Sequence, residues 1–263
     1  MATLATPVRA PEKQSLKAVL SRLPRARRYA ATLVARIEGV PRENKGKRLL
    51  EIGAAAGYMT IAFNELGYEC TGVEPDPDAL RTAEELAHEL GSPCQVVEGR
   101  AELIPFPDHS FDIVVTNSVL EHVTDLDACF REIYRVLAPG GLFWFETASS
   151  MSPFQHEIRI FPFFGWYPDF LKKRIMWWAA RHRPEWVGHT VTPAVHWFSD
   201  RIAHNKLAEM GFVTIFDRWA FRRDDEGGRI HGAALRLIRS NSFVRRIANI
   251  LISECAYAAL KAR

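Results

Sequence analysis

The chain has 263 residues, of which 48% are hydrophobic and 25% are charged. This length and composition suit one large α/β domain, or one domain with an elaborated cap, and exclude a broadly disordered protein. The net charge of +3 conceals a division, because residues 1–50 carry +9, residues 51–150 carry −14 and residues 151–263 carry +8. The basic ends either form ordinary solvated faces beside the acidic middle or face an anionic substrate or phospholipid surface.

The cysteines and the apolar runs indicate the cellular compartment of the protein. No two of the four cysteines form a C-x-x-C pair, which argues against a disulfide framework or a metal site and favours a reducing compartment. The first residues lack the apolar run of a signal peptide, and no stretch approaches the ~20 apolar residues that span a bilayer. We expect a cytoplasmic protein and leave peripheral contact with a membrane open.

The first half of the chain alternates between strand and helix patterns. Residues 1–15 are predicted to form a disordered arm, and the apolar spacing over 16–37 predicts one or two helices. Short apolar runs bounded by turn residues predict five strands, at 48–53, 68–74, 95–98, 111–116 and 142–146. Helical patterns lie between them, at 58–66, 78–90 and 126–137. This alternation predicts right-handed crossovers and a parallel sheet covered on both faces.

The pattern changes after residue 147. Residues 148–198 form a long insertion, and residues 154–198 hold 12 of the 29 aromatic side chains. These aromatics favour a cap over a large apolar acceptor, a patch at a membrane interface where basic residues meet phosphates, or a small core of the cap itself. Residues 199–263 are predicted to complete the sheet.

The remaining sequence patterns predict the elements of the last segment. A helix is predicted at 200–210 and a strand at 212–217, followed by a mainly helical stretch at 231–252. Residues 253–260 are predicted to form a closing strand, with helix as the alternative because alanine favours it.

A turn of small residues follows the first predicted strand, with Gly53, three alanines and Gly57 in succession. In doubly wound sheets ligands bind beyond the carboxyl ends of the strands, and a ligand approaches the backbone where side chains are tiny. The next helix presents free N–H groups there. The alternative is a turn that only lets strand and helix pack closely. A dinucleotide fingerprint would need glycine at Ala55 and Tyr58, so NAD is disfavoured.

Glu74 ends the second predicted strand, 21 residues after Gly53. A carboxylate there can accept hydrogen bonds from both hydroxyls of a ribose, which suits a nucleoside. The alternative is a solvated carboxylate at a strand end. The small-residue turn at the matching offset favours the ribose role.

Several segments now carry a family resemblance. They are 50–57 (LEIGAAAG), 72–75 (GVEP), 101–107 (AELIPFP), 110–112 (SFD), 117–123 (NSVLEHV) and 135–141 (RVLAPGG). In this order and spacing, residues 48–147 resemble the core of class I S-adenosylmethionine (SAM)-dependent methyltransferases, most of all the branch that includes the quinone-biosynthesis enzymes. The resemblance implies an α/β, doubly wound, Rossmann-like sheet of seven strands in the order 3-2-1-4-5-7-6, with helices on both faces and the aromatic-rich cap inserted after strand 5. Residues 16–147 would then hold the N-terminal helices and the SAM-binding core.

The resemblance also implies a set of cofactor-binding positions. They are Glu51, Gly53, Ala54, Ala55, Gly57, Tyr58, Glu74, Pro75, Arg100, Ala101, Glu102, Asn117 and Ser118. The turn residues would line the methionine and ribose, Glu74 would hold the ribose, Arg100 and Ala101 would lie by the adenine, and Asn117 and Ser118 would lie near the methionine amine. Two positions depart from the family pattern. Ala55 replaces a glycine and disfavours positive φ, and Arg100 replaces a common aspartate, so that adenine recognition would fall to the backbone or to Glu102.

Methyl transfer from a sulfonium is an in-line displacement, so the protein must mainly align the acceptor and exclude water. A general base is needed only where the acceptor stays protonated. Histidine is the base best suited by its pKa, and the candidates are His122 after the fourth strand and His156, His189 and His196 in the insertion. For each, the alternative is a histidine that only fixes the structure.

The sequence therefore predicts a methyltransferase that acts on a small-molecule or lipid-linked acceptor. A preference for oxygen rests on the resemblance and on the histidine-rich insertion. The alternative is a non-catalytic protein of the same fold that binds or activates a partner, which Ala55 and Arg100 keep open. An RNA methyltransferase is a lesser alternative, because no RNA-binding module is recognisable and residues 117–120 (NSVL) stand where amino-directed nucleic-acid enzymes carry a Pro-Pro motif.

Overall fold

The computed structural model describes residues 15–155, 157–158, 160–187, 192–222 and 228–263. Its strands are β1 (Arg48–Ile52), β2 (Glu69–Glu74), β3 (Gln95–Glu98), β4 (Phe111–Asn117), β5 (Leu137–Ala148), β6 (Phe212–Asp217) and β7 (Glu254–Lys261). Its α-helices are α1 (Leu16–Gly39), α2 (Tyr58–Glu65), α3 (Pro77–Leu90), α4 (Leu126–Val136), α5 (Asp169–His182), α6 (Asp200–Glu209), α7 (Arg218–Phe221), α8 (Gly228–Ser240) and α9 (Ser242–Ile250). The predicted arm lies outside these residues except for Ser15, whose side chain caps α1.

All seven strands form one sheet in the order β3-β2-β1-β4-β5-β7-β6, as the resemblance implied. The first five strands pair in parallel, and β7 runs antiparallel to both β5 and β6. The last segment is therefore a strand. Its alanines and Tyr257 are buried between β5 and β6, so tertiary packing overrides the helix preference of alanine.

Alternate residues of the central strands pack into two separate cores. Leu49 and Trp144 join the core beneath α1, α2 and α7, whereas their neighbours Leu50 and Phe143 join the core beneath α4 and α6. Successive side chains of a strand point to opposite faces. The near-continuous apolar runs of β1, β4 and β5 are thus explained by helices on both faces.

Two predicted boundaries differ from the structure. The pattern over 16–37 forms one 24-residue helix, α1, with Pro24 inside it. Strand β5 begins at Leu137, five residues before the predicted start, because Leu137 pairs with Phe111 ahead of a register shift in β4. Gly140 takes a φ of +69° within this stretch, so the Pro-Gly-Gly sequence bends the strand and does not precede it.

The insertion between β5 and α6 has a small core of its own. Phe164, Met176 and Trp197 are buried together there. Other aromatic and apolar side chains of the insertion lie on the surface, each at least 47% exposed: Phe154, Ile160, Phe163, Trp166, Phe170 and Trp178. The aromatics therefore divide between a cap core and an exposed surface.

No helix in the described part of the chain has the length and apolar character needed to cross a bilayer.

The amino-terminal edge of the sheet is held by Asp112, at the start of β4. Its carboxylate accepts hydrogen bonds from the backbone N–H and the guanidinium of Arg48 at 2.9–3.1 Å, and from the Asn44 amide at 3.1 Å. These bonds outweigh the opposing effect of burial and lower the pKa of Asp112. They join β4 to β1 and to the segment before it.

We predict that Asp112→Asn lowers the free energy of unfolding by about 2–3 kcal/mol, because the neutral amide loses the charged pair and leaves Arg48 donors unmatched. Urea denaturation measures the change. Asp108→Asn is the control, since Asp108 is an exposed carboxylate beside Arg135 and should have little effect. Equal effects of the two substitutions would contradict the assigned role of Asp112.

Candidate active site

The candidate site lies where the strand order reverses. Strands β1 and β4 are parallel neighbours, with Ile52 beside Thr116. The chain continues from β1 to β2 towards one edge of the sheet and from β4 to β5 towards the other. The loops after their carboxyl ends therefore diverge and leave a crevice, which is where doubly wound sheets bind ligands.

The 53–57 turn follows β1 and alternates in backbone conformation. Gly53, Ala55 and Gly57 have φ values of +75°, +48° and +73°. Alanine carries a steric penalty in this conformation because of its Cβ. Ala55 does adopt positive φ, because its N–H is fixed by a hydrogen bond to Glu74 Oε2 at 2.8 Å.

The two glycines of the turn are also needed for packing. A Cβ on Gly53 would lie 2.4 Å from Val119 Cγ2, and one on Gly57 would lie 2.5 Å from Cys94 Sγ. Their missing side chains let the turn approach the β4–α4 loop and the segment before β3. The packing interpretation of the turn therefore holds for these positions beside any role in binding.

Glu74 closes the other side of the turn. Its Oε2 accepts the Ala55 N–H, and its Oε1 accepts the Asp76 N–H at 3.0 Å. Burial raises the pKa of Glu74 and the two backbone bonds oppose that rise. Each oxygen keeps a lone pair for a further donor. The adjacent Pro75 is exposed.

Glu51 and Tyr58 lie deeper than the turn. The Thr60 hydroxyl donates to Glu51 Oε2 at 2.6 Å, and burial raises the pKa of Glu51 to about 8. Glu51 is therefore mainly protonated at neutral pH. Tyr58 packs against two apolar clusters under α1. Ala54 is buried as well.

The residues predicted beside the adenine lie on the loop after β3. Ala101 is buried and Arg100 is exposed. Glu102 Oε1 accepts both the N–H and the hydroxyl of Thr124, at 2.8 and 3.1 Å, and these bonds outweigh burial and lower the pKa of Glu102. Glu102 thus tethers this loop to the start of α4.

Asn117 and Ser118 end β4, and sequence reasoning missed their neighbours. The Tyr29 hydroxyl of α1 lies 3.4 Å from Asn117 Oδ1, and Glu146 pairs with Asn117 across β5. Burial and the Glu146 carboxylate raise the pKa of Tyr29 far above its usual range. Tyr29 precedes Asn117 by 88 positions, so no local pattern signals this contact. Ser118, with φ of +53°, donates its N–H to the Glu146 carbonyl.

His122 belongs to a buried polar group on the β4–α4 loop. Its Nδ1 lies 2.8 Å from the Thr192 carbonyl oxygen, so Nδ1 carries the proton and Nε2 is left as the basic nitrogen. Nε2 lies 3.9 Å from a Glu157 carboxylate oxygen. Burial lowers the pKa of His122, against the pull of Glu157. The side-chain nitrogen and oxygen atoms of Glu121, His122 and Glu157 that could bind a metal ion lie within 4.8 Å of one another.

The other candidate histidines have different surroundings. His196 Nε2 lies 3.0 Å from the Val123 carbonyl oxygen, and burial lowers the pKa of His196. His156 and His189 lie outside the described residues. The Glu121 carbonyl also accepts the N–H groups of Val195 and His196, at 2.7 and 3.2 Å. Residues 192–198 of the insertion are thereby bound to the β4–α4 loop.

Known proteins resemble the chain in its core. Residues 50–145 match the family model described as a methyltransferase domain. An uncharacterized methyltransferase of Bacillus subtilis, YcgJ, is 38% identical over 97 residues, which are 36% of this chain and 38% of that protein. Residues 50–145 therefore resemble a methyltransferase domain, and the match covers less than half of the chain.

The similarity does not extend to the full length of the relatives. An uncharacterized methyltransferase of Mycobacterium marinum is 36% identical over 134 residues, which are 51% of this chain and 50% of that protein. The chain spans about half the length or less of these curated relatives. Over whole chains the likeness is one of fold. The YcgJ crystal structure superposes with a TM-score of 0.54 at 19% identity, covering 90% of this chain and 99% of YcgJ.

The left-handed backbone of Ala55 gives a prediction about stability. Ala55→Gly should leave the free energy of unfolding unchanged or raise it by up to about 1 kcal/mol, because glycine has no Cβ penalty there. Ala55→Val should lower it by about 1–2 kcal/mol, since branched side chains tolerate positive φ poorly. Urea denaturation measures both.

Ala87→Gly in the last turn of α3 is the control, and glycine should destabilise that right-handed helical position by up to roughly 1 kcal/mol. If glycine were destabilising at Ala55 by as much as at Ala87, Ala55 would not hold its left-handed conformation in solution.

Proposed function

We propose that this chain is a SAM-dependent methyltransferase that transfers a methyl group to an oxygen of a small-molecule or lipid-linked acceptor. The crevice between β1 and β4 is the proposed cofactor site. Its donors and acceptors match the chemistry of a nucleoside joined to an amino acid. Glu74 offers carboxylate oxygens for ribose hydroxyls, the turn offers close backbone approach, and Asn117 and Ser118 offer acceptors for an amine.

Each group of residues has a separate task in this proposal. The sulfonium cofactor supplies an electrophilic methyl group and a good leaving group. The 53–57 turn and Glu74 fix the position of that methyl relative to the sheet, and Ala101 forms an apolar wall for the adenine. Tyr29 and Glu146 orient Asn117 from α1 and β5. Fixed alignment of this kind lowers the entropic part of the barrier.

The placement of His122 is the observation that carries the oxygen preference. A neutral hydroxyl must lose its proton as it attacks, and a buried imidazole whose Nε2 carries no proton can accept it. The Thr192 carbonyl fixes the tautomer of His122, and the lowered pKa keeps the ring neutral at neutral pH. The nearby Glu157 carboxylate stabilises the imidazolium that forms.

The insertion is the proposed cap over the acceptor. Its 192–198 segment is hydrogen-bonded to the β4–α4 loop at Glu121, His122 and Val123, beside the carboxyl ends of the strands. This attachment excludes water from the side on which His122 lies. The exposed aromatics of the cap favour a large apolar acceptor or one that is embedded in lipid.

The cofactor role of Glu74 is tested by Glu74→Gln. We expect the dissociation constant for SAM to rise by about ten- to a hundredfold, because hydrogen bonds to a charged group contribute roughly 1.5–3 kcal/mol. Isothermal titration with SAM and with its demethylated product measures this. Glu98→Gln, at the end of the neighbouring strand, is the control. Unchanged affinity in Glu74→Gln would remove the ribose assignment.

The base role of His122 is tested by His122→Asn, whose amide can still donate to Thr192. With a hydroxyl acceptor we expect turnover to fall by about 10²–10⁴ while SAM affinity is kept. In the parent the rate should rise with pH through a midpoint below 6.5, the ordinary value for histidine, because the neutral ring is the active form and burial lowers its pKa. The variant should lose this step.

His88→Asn on the surface of α3 is the control for the histidine experiment. A His122→Asn enzyme as fast as the parent would show that His122 only fixes the loop. SAM binding without turnover in the parent, over a panel of acceptors, would favour the non-catalytic alternative.

A further inference from the structure

Helix α9 presents its apolar side to solvent. Phe243, Ile247 and Leu251 follow one another at helical spacing and are 70%, 43% and 75% exposed. No residue within α9 is buried. Leu237 of the preceding helix α8 is also 54% exposed.

The polar side of α9 faces the protein. Asn249 accepts a hydrogen bond from the Trp219 indole and donates one to Asp200 Oδ2, both at 2.7 Å. Arg245 pairs with Asp217 at the end of β6. A surface helix ordinarily buries its apolar stripe and exposes its polar one. These bonds hold α9 in the opposite orientation, so Phe243 and Leu251 stay mostly exposed and Ile247 partly exposed among the described residues.

The two helices that carry this stripe are basic in sequence, although Asp200 and Asp217 lie beside α9. Residues 228–253 contain five arginines and no aspartate or glutamate. Asp217 neutralises Arg245 from outside the segment, and the exposed Arg246 stands beside it. The two arginines line an open depression of about 490 Å³ together with Phe243, Asn249 and Asp200. An anionic group can reach this depression while Phe243 lies at its edge.

One pair of exposed aromatics in the cap is connected to α9 through Met151. The Trp166 indole donates to the Met151 carbonyl at 2.8 Å, and Met151 lines a small cavity together with Asn249 of α9. Trp166 stacks with Phe163, with ring centroids 5.6 Å apart, and both are more than half exposed. Tryptophan is enriched at the headgroup level of membranes. Trp166 and Phe163 are thus linked through Met151 to a cavity on the inward, polar side of α9.

We propose that the α8–α9 hairpin docks the protein onto an anionic phospholipid surface. The Phe243–Ile247–Leu251 stripe enters the boundary between headgroups and acyl chains, and Arg246 meets lipid phosphates at the depression. An amphipathic helix with basic residues at its apolar edge binds membranes in this way. A second copy of the chain is a poorer occupant, because symmetric pairing would bring two basic surfaces together. The surface does not depend on which acceptor the enzyme methylates.

Vesicle co-sedimentation of the full chain tests the proposal. The parent should bind vesicles of phosphatidylcholine with phosphatidylglycerol, bind phosphatidylcholine alone weakly, and dissociate as salt is raised. The combined variant Phe243→Ser, Ile247→Ser and Leu251→Ser should bind at least about tenfold more weakly, since each side chain loses apolar burial. Because all three side chains are exposed, the fold should be kept.

Matched control variants test the charge of Arg246 and the location of the apolar stripe. Arg246→Glu should weaken binding by on the order of tenfold, and Arg131→Glu, on the exposed side of α4, should not. Val213→Ser controls for loss of an exposed apolar residue, since Val213 is 67% exposed on β6. Titration with SAM should give the parent affinity in every variant, which separates loss of docking from loss of the cofactor site.

Three results would overturn the proposal. The first is that the parent fails to sediment with anionic vesicles at low salt. Alternatively, Phe163→Ser with Phe170→Ser in the cap would abolish binding while the α9 variant kept it. The third result is a parent protein that forms a dimer and that the α9 substitutions dissociate, which would assign the stripe to a second copy.

Discussion

The reversal of strand order between β1 and β4 is the constraint from which the arrangement of the site follows. Because the chain leaves these parallel neighbours on opposite sides, no crossover fills the space above their carboxyl ends. The 53–57 turn, Glu74 and Asn117 reach this space from three different strands. A carboxylate, a close backbone and an amide acceptor are thereby brought together without a sequence motif that contains all three.

Within that crevice one hydrogen bond links the backbone conformation of Ala55 to the proposed ribose acceptor, Glu74. Glu74 accepts the Ala55 N–H, which holds a non-glycine residue in left-handed backbone. The same carboxylate is the proposed ribose acceptor, so its two oxygens serve both the turn and the ligand. The family's usual glycine would meet this conformation without cost. In this chain the Glu74 contact compensates for the alanine.

The insertion after β5 combines two kinds of surface. Phe164 and Trp197 build a core that lets it fold against the sheet, and backbone bonds attach its 192–198 segment beside His122. Several of its other aromatics stay exposed, and the polar side of α9 is bound inward. The proposed acceptor side is therefore formed by the insertion, and the proposed membrane surface by the α8–α9 hairpin.

The sequence by itself determined the alternating strands and helices of the core and the small-residue turn, because these follow from local periodicity and spacing. The strand order was implied by the resemblance of the core to a known family. The closing strand was decided by tertiary structure, since burial of Tyr257 between β5 and β6 overrides alanine's helix preference. The contact of Tyr29 with Asn117 and the outward stripe of α9 also depend on residues distant in sequence. Local patterns record which residues can form a helix or strand, but the neighbour that each side chain meets is set only when the whole chain packs.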